Sequence, residues 1–329
     1  MKFLIAGLGS IGRRHLRNLK ALGQEDILLY RTHLATLPDE ELAGLPVYTN
    51  LSDALAQKPD GVIVSNPTSE HLKVALPAAK AGCNLLIEKP IAANLEGIPE
   101  LQAALRAHSK QALVGFHFRN HPVLQEIKGI LDSEILGKPL SGRVQWGEYL
   151  PDWHPWEDYR QSYAARKDLG GGVVNTLSHP FDYLRWLLGD VKQVSALTDR
   201  KSSLEIDTED SADVLLRFRG DANVSVHLDY YQRPATHHLS VVCEQGSLYW
   251  DNTTSEAAIY YAEGQHWQSI KAPQGFERNS MFLDEMKHFI EICQGDVHSQ
   301  CSLEDGIQAQ RIVLAVHRSS AEEGRLVEP

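Results

Sequence analysis

The apolar positions of this chain follow two regimes that change near Arg119. In the first, short apolar runs alternate with segments of helical spacing. Lys2–Ala6 is such a run, the glycines at 7–12 break it, and residues 13–22 carry Leu16, Leu19 and Leu22 one helical face apart. Asp26–Tyr30, residues 61–65, Asn84–Ile87 and residues 113–115 repeat the short run. Residues 52–57, the alanine-rich 69–81 and 123–131 read as helices. Strands alternating with helices predict βαβ units and a parallel, doubly wound α/β sheet.

Beyond Arg119 the period falls to two. Val214, Leu216 and Phe218, then Val224, Val226, Leu228 and Tyr230, are separated by polar residues and by the turn at Gly220, which predicts a large antiparallel sheet with one buried face. Helices are expected at 181–188, 281–292 and 303–319, so this part is α+β. A chain of 329 residues exceeds what one core accommodates. Two domains are expected, residues 1–118 and 119–329.

Charge and composition narrow the function classes. A formal net charge of -11 opposes nucleic-acid binding, which draws its affinity from clustered cations. Cys83, Cys243, Cys293 and Cys301 are scattered with no C-x-x-C pair, so neither a zinc site nor a disulfide framework is expected. The first residues are too short an apolar stretch for a secretion signal, and no run reaches the roughly 18 apolar residues of a spanning helix. A cytoplasmic protein with no membrane partner is expected.

Gly7-Leu8-Gly9-Ser10-Ile11-Gly12 places G-x-G-x-x-G between a strand and a helix. The first glycine permits the tight turn, the second lets backbone approach a pyrophosphate, and the third lets helix pack on strand. The second strand of a dinucleotide site usually ends on an acid that binds the ribose. Here it ends Tyr30-Arg31-Thr32-His33. Arg31 is a forked cation suited to a 2′-phosphate, with Thr32 or His33 as further donors, which tilts the cofactor from NAD toward NADP.

Further motifs follow in order: Ser65-Asn66-Pro67-Thr68 with His71, Glu88-Lys89-Pro90 at a strand end, Arg119 and Pro122, then Gly170-Gly171-Gly172, His179, Asp182 and Trp186-Leu187-Leu188-Gly189. Together with the glycine loop this pattern resembles the Gfo/Idh/MocA family over essentially the whole chain. The resemblance implies a Rossmann domain followed by an open antiparallel sheet, with substrate in the cleft between and cyclitols, aldoses, sugar derivatives or nucleotide sugars as substrates. It also implies that Asn66, Pro67, His71, Glu88 and Lys89 join Gly7, Gly9, Ser10, Ile11, Gly12, Arg31 and Thr32 around the cofactor.

The reacting positions that the family implies are Lys89, Asn175 and His179. Chemistry agrees, since hydride removal from a secondary alcohol needs a base near neutral pKa and a positive donor for the developing alkoxide. His179 suits the first role and Lys89 the second. Asn175, four residues before His179, is expected on the same helix face, where it or Asp182 orients the imidazole. Many family members have aspartate where Asn175 stands, and an amide relays no proton.

Residues 148–160 hold the densest set of rings and charges. Tyr149, Trp153, His154 and Tyr159 offer faces and edges to a sugar, while Arg119, Arg160 and Arg166 offer donors to its hydroxyls, a phosphate or a carboxylate. The same segment also suits an oligomer interface. His154, Glu157 and Asp158 make a poor metal set, because Pro155 interrupts them, and no metal is expected. A homodimer or homotetramer through the C-terminal sheet is expected. The rival readings are a dinucleotide-binding regulator without turnover and a dihydrodiol-type dehydrogenase.

Overall fold

The computed structural model describes residues 1–32 and 40–329; His33 lies outside the described residues. The described chain divides into two compact units, one of residues 1–117 with 277–307, the other of 118–276 with 308–329. The first boundary lies beside the expected one. The C-terminal side differs, because residues 277–307 return to the first unit, so a single cut at 118/119 does not separate the two.

The chain begins with β1 (Lys2–Ala6), α1 (Ser10–Ala21), β2 (Asp26–Tyr30), β3 (Val47–Tyr48), α2 (Leu51–Leu55), β4 (Gly61–Val64), α3 (His71–Lys80), β5 (Asn84–Ile87), α4 (Ile98–Ala107) and β6 (Ala112–Val114). The sheet runs β3-β2-β1-β4-β5-β6, all parallel. β1, β4, β5 and β6 are almost wholly buried, as strands covered on both faces must be. Strand order reverses between β1 and β4, and in an open parallel sheet the crevice at that switch, beyond the carboxyl ends of the strands, is where ligands bind. Gly7 follows β1 there and Ser65 follows β4.

The second unit holds α5 (Pro122–Asp132), β7 (Pro139–Gly147), α6 (Val173–Thr176), α7 (His179–Leu188), and then strands β8 (Val191–Asp199), β9 (Ser211–Phe218), β10 (Asn223–Asp229), β11 (Thr236–Cys243), β12 (Gly246–Asp251), β13 (Glu256–Tyr261) and β14 (His266–Lys271). They form an eight-stranded sheet ordered β14-β13-β12-β11-β7-β10-β9-β8. It is not purely antiparallel, because β7 pairs with β10 in parallel. β9 shows the expected alternation, with Val214, Leu216 and Phe218 buried and Leu215 exposed.

The chain then forms α8 (Arg278–Gln294) and α9 (Leu303–Ala321). Phe289 of α8 meets Phe3 of β1 at 6.1 Å between ring centroids. A Cβ on Gly61 would lie 2.8 Å from Cys293 Sγ and 2.9 Å from Phe289, so β4 accepts this helix only because position 61 has no side chain. No helix among the described residues is long and apolar enough to cross a membrane.

Candidate active site

The three glycines of the loop owe their identity to different causes. Gly7 has φ +96°, and a Cβ there would sit 2.4 Å from the backbone nitrogen of Asn66. A Cβ on Gly12 would lie 2.0 Å from the Gly7 carbonyl oxygen, so the start of α1 packs directly on the turn. Gly9 differs. Its φ of -71° suits any residue, and nothing among the described residues lies within 4 Å of its missing Cβ. A glycine that the protein's own packing does not require is one that leaves room for a ligand.

The same place offers hydrogen bonds. Among the described residues no side chain caps α1, leaving its first-turn N–H groups directed outward past exposed Gly9 and Ser10. Asn66 Oδ1 is buried without a hydrogen-bond partner among the described residues. His71, buried, bonds the Asn66 carbonyl oxygen through Nε2 at 2.8 Å, and burial pushes its pKa down, so it shapes the Asn66 turn as a neutral ring. Arg31, buried, stands at the end of β2 and Thr32 is exposed beside it. An open glycine, an uncapped helix start and an orphaned amide oxygen fit a dinucleotide.

Lys89 follows β5 at the carboxyl end of the same sheet and is partly exposed. The Glu88 carboxylate beside it is buried, with Oε1 2.7 Å from His15 Nε2 of α1. His117, also buried, stacks on Phe282 of α8 at 4.1 Å. Burial, with the charges of Arg278, Lys89, Arg14 and His15 adding to it, holds His117 well below the usual histidine range.

In the second unit His179 opens α7, buried against Phe118 at 5.0 Å and Trp146 at 5.8 Å between centroids. His237 stacks on Trp146 at 4.2 Å and meets the Tyr183 hydroxyl through Nε2 at 3.2 Å. These rings come from separate elements, and sequence reading had no signal for grouping them. The expected single helix through Asn175 and His179 is interrupted: Asn175 belongs to α6, and Leu177 and Ser178 separate it from α7. Asn175 Nδ2 instead donates to the Gly171 carbonyl at 3.1 Å.

Asp182 and Arg119 pair with each other. Arg119 donates from Nη2 to Oδ1 at 2.7 Å and from Nε to Oδ2 at 3.0 Å, both side chains buried. The guanidinium expected to hold substrate is thus engaged with the carboxylate expected to orient His179. Glu209 was missed by sequence reading. Its Oε1 accepts the Val174 N–H at 3.2 Å, its carbonyl accepts Val173 N–H at 3.1 Å, and its carboxyl fills the place of a side chain at Gly172. Burial pushes this carboxyl up to about 7.

The aromatic segment is also tied internally. Trp153 meets Tyr230 edge-on at 5.5 Å, His154 lies 5.4 Å from the exposed Trp156, and Tyr149 lies under the Arg233 guanidinium at 4.1 Å. Tyr159 Oη accepts the Glu205 N–H at 3.2 Å. Arg160 pairs with Asp158 and Glu205, and Arg166 with Asp168. Arg160, Arg166 and Arg200 nevertheless line one open cavity of about 730 Å³ with Glu205 and Asp207.

The chain matches the NAD-binding Rossmann-fold model of the Gfo/Idh/MocA oxidoreductases over residues 1–116 and a C-terminal domain model of the same family over 124–249. Myo-inositol 2-dehydrogenase of Thermotoga maritima is 26% identical, covering 98% of this chain and 97% of that protein. The 1,5-anhydro-D-fructose reductase of Ensifer adhaerens is 24% identical over 80% of this chain and 78% of its own. A levoglucosan dehydrogenase bound to NADH and levoglucosan shares the fold with a TM-score of 0.87 at 18% identity, over 100% of this chain and 99% of that one. The WlbA dehydrogenase of Bordetella pertussis, bound to NADH and UDP-GlcNAcA, has a TM-score of 0.81 at 21% identity, over 100% and 98%. With both halves of the family matched in order along a glycine loop built to receive a dinucleotide, the chain belongs to the Gfo/Idh/MocA family and is an NAD(P)-dependent oxidoreductase.

Proposed function

We propose that this enzyme moves a hydride between the nicotinamide and a hydroxyl-bearing carbon of a sugar or sugar derivative, with Lys89 and His179 as its reacting side chains. The observation that carries the reading is the strand-end position of Lys89 in the unit whose glycine loop leaves Gly9 open. When bound, the nicotinamide supplies the hydride acceptor or donor. The Lys89 ammonium then stabilises negative charge on the reacting oxygen, and the His179 imidazole takes or returns its proton. Rings around His179, Phe118 and Trp146 among them, exclude water and give the imidazole a low-dielectric setting. Asn175, turned toward Gly171, holds the glycine run and carries no charge of its own.

Substrate polarity follows from residues 149–166, where Trp153, Tyr159, Arg160 and Arg166 supply ring faces and guanidinium donors. NADP is the favoured cofactor because a cation, Arg31, stands where a ribose-binding acid is usual. Self-association uses the exposed face of the eight-stranded sheet, where Leu197, Leu215, Tyr249 and Trp267 lie in solvent.

Purified protein offered cyclitols, aldoses, sugar acids and nucleotide sugars with either dinucleotide is expected to change nicotinamide absorbance with at least one. On that substrate Lys89→Met is expected to lower kcat by about 10² to 10³ and His179→Ala by about 10² to 10⁴. Near wild-type kcat in both variants ends the assignment. Dinucleotide binding without turnover of any compound points to a regulator instead.

A further inference from the structure

The connection between β8 and β9, residues 200–210, meets residues 160–166 of the long connection between β7 and α6 around the cavity that Arg160, Arg166 and Arg200 line. Both stretches belong to the second unit. They are fastened to each other by hydrogen bonds. The Tyr159 hydroxyl accepts the Glu205 N–H at 3.2 Å, the Asp207 carboxylate accepts the Lys167 N–H at 2.7 Å, and the Asp207 N–H donates to the Ala165 carbonyl oxygen at 3.3 Å. Asp210, fully buried, takes the Lys201 and Ser202 N–H groups at 2.7 and 3.0 Å and the Ser202 hydroxyl at 2.5 Å, which fixes the chain next to Arg200. Buried Ala165, Leu204 and Ile206 supply the apolar lining. The volume, about 730 Å³, lies within the roughly 300 to 1,000 Å³ of small-molecule sites.

Three guanidiniums line this cavity against two carboxylates, Glu205 and Asp207, in a chain whose formal net charge is -11. Asp207 is engaged by the Lys167 N–H. Arg160 pairs with Asp158 and Glu205, and Arg166 with Asp168, but these side chains are between 33% and 71% exposed. Ion pairs so open to water contribute little and give way to a better partner. Arg200 differs from both. Its Nη1 donates to the Ile206 carbonyl oxygen at 2.8 Å, a neutral acceptor, and among the described residues its guanidinium forms no ion pair. The Asp199 carboxylate beside it is taken by Lys201. Arg200 thus brings to the cavity a positive charge that the protein does not neutralise.

We infer that this cavity binds a phosphate group, with Arg200 as its anchor and Arg160 and Arg166 leaving their exposed partners to donate to the same group. A tetrahedral dianion offers oxygens in several directions and suits three forks, whereas a carboxylate lies in one plane and is filled by a single fork. A neutral sugar calls for no such charge. The wall of the cavity continues toward the reacting side chains proposed above, since the Gly171 and Gly172 N–H groups donate to the carbonyl oxygens of Arg166 and Ala164, both at 2.9 Å, and Asn175 follows in α6. A phosphate carried by the sugar that is oxidised, or by its nucleotide, accounts for that continuity. Assigning the phosphate to the substrate rests on the function proposed above. The binding of phosphate does not.

Isothermal titration calorimetry on the intact protein, with reduced dinucleotide present so that its own phosphate contacts are filled, compares glucose 6-phosphate, inorganic phosphate and glucose. The wild type is expected to bind glucose 6-phosphate about tenfold or more tighter than glucose, and added salt should weaken that binding. Arg200→Gln should weaken glucose 6-phosphate on the order of tenfold and leave glucose unchanged, while Arg200→Lys, which keeps the charge and loses the fork, should lose less. Arg217→Gln, at an exposed arginine of β9 outside the cavity, should bind as wild type does. Once a substrate is known, inorganic phosphate that raises its KM in the wild type but not in Arg200→Gln assigns the phosphate to the substrate. Phosphate that binds through Arg200 and leaves KM unmoved assigns the cavity to a free anion. Phosphate and glucose 6-phosphate that bind no better than glucose, or that bind Arg200→Gln and Arg166→Gln as tightly as wild type, overturn the inference and leave the arginines a surface network of ion pairs. If phosphate binds through Arg200 but no sugar is oxidised, the function proposed above fails and the phosphate site stands.

Discussion

Arg119 grips Asp182 with two nitrogens, at 2.7 and 3.0 Å, and neither side chain reaches solvent appreciably. A buried pair of this kind gains little over an apolar replacement of both partners, but losing one partner strands a charge. Arg119→Met is expected to destabilise the protein by about 3 to 5 kcal/mol in denaturant unfolding, with Arg119→Lys recovering only part because a single ammonium cannot serve both oxygens. Adding Asp182→Leu to Arg119→Met should restore much of the loss. Additive losses in the double variant would show that the two side chains act separately.

Cofactor choice is tested at the end of β2. Arg31→Ala should weaken NADPH binding on the order of tenfold or more, since a charge-assisted contact is worth roughly 1.5 to 3 kcal/mol, and should leave NADH binding nearly unchanged. Fluorescence titration with both dinucleotides reads the difference. Equal losses, or tighter NADH binding in the wild type, count against NADP preference.

Acid should release one helix. His121 caps α5, its Nδ1 accepting the Val123 N–H at 3.2 Å, and it packs between Trp250 and Phe276. Burial lowers its pKa to about 4, below the usual 6.5, so the folded state holds it neutral. Its contribution is therefore complete above about pH 6.5 and is lost as pH falls through 6.5 toward 4, by about 3 kcal/mol. His121→Asn keeps an acceptor for Val123 but cannot be protonated. It should start less stable at pH 7 and close the gap with wild type by pH 4.5. A constant gap across that range would remove His121 from the acid response.

Glu209 has the opposite sign. Its folded pKa, about 7, lies above the usual 4.5, so folding favours the protonated acid. The stability that it contributes is full below about pH 4.5 and is lost as pH rises to about 7, with a magnitude on the order of 3 kcal/mol. Glu209→Gln, which keeps an acceptor for Val174, should abolish this part of the pH dependence and be the more stable form at pH 8. Parallel pH profiles for the two proteins would show that Glu209 titrates normally.

Periodicity found the parallel sheet almost to the residue at β1, β2 and β5, because strands buried on both faces are apolar throughout. It passed over β3, which is only two residues long, and α4. It joined Asn175 to His179 on one helix because spacing of four does not reveal the break at Leu177 and Ser178. The turn of the glycine loop between β1 and α1 and the strand-end position of Lys89 were legible, being local in sequence. Trp146 and His237 beside His179, like Glu285 beside Glu88, were not, because only the folded chain brings together residues that are far apart along it. The contact of Glu88 with His15 of α1 was likewise not legible, because it joins residues 73 positions apart.

The return of residues 277–307 to the first unit sets an order of events during synthesis. A nascent chain emerging from the ribosome exposes β1 to β6 long before α8 exists, and until then Phe3, Gly61 and the His15–Glu88 pair lack the helix that covers them. The main stretch of the second unit, 118–276, is made before α8, but its closing segment, 308–329, follows α8. The dinucleotide-binding half thus begins the sequence but is among the last parts completed, and its open sheet must be kept from aggregating while the intervening 159 residues are made.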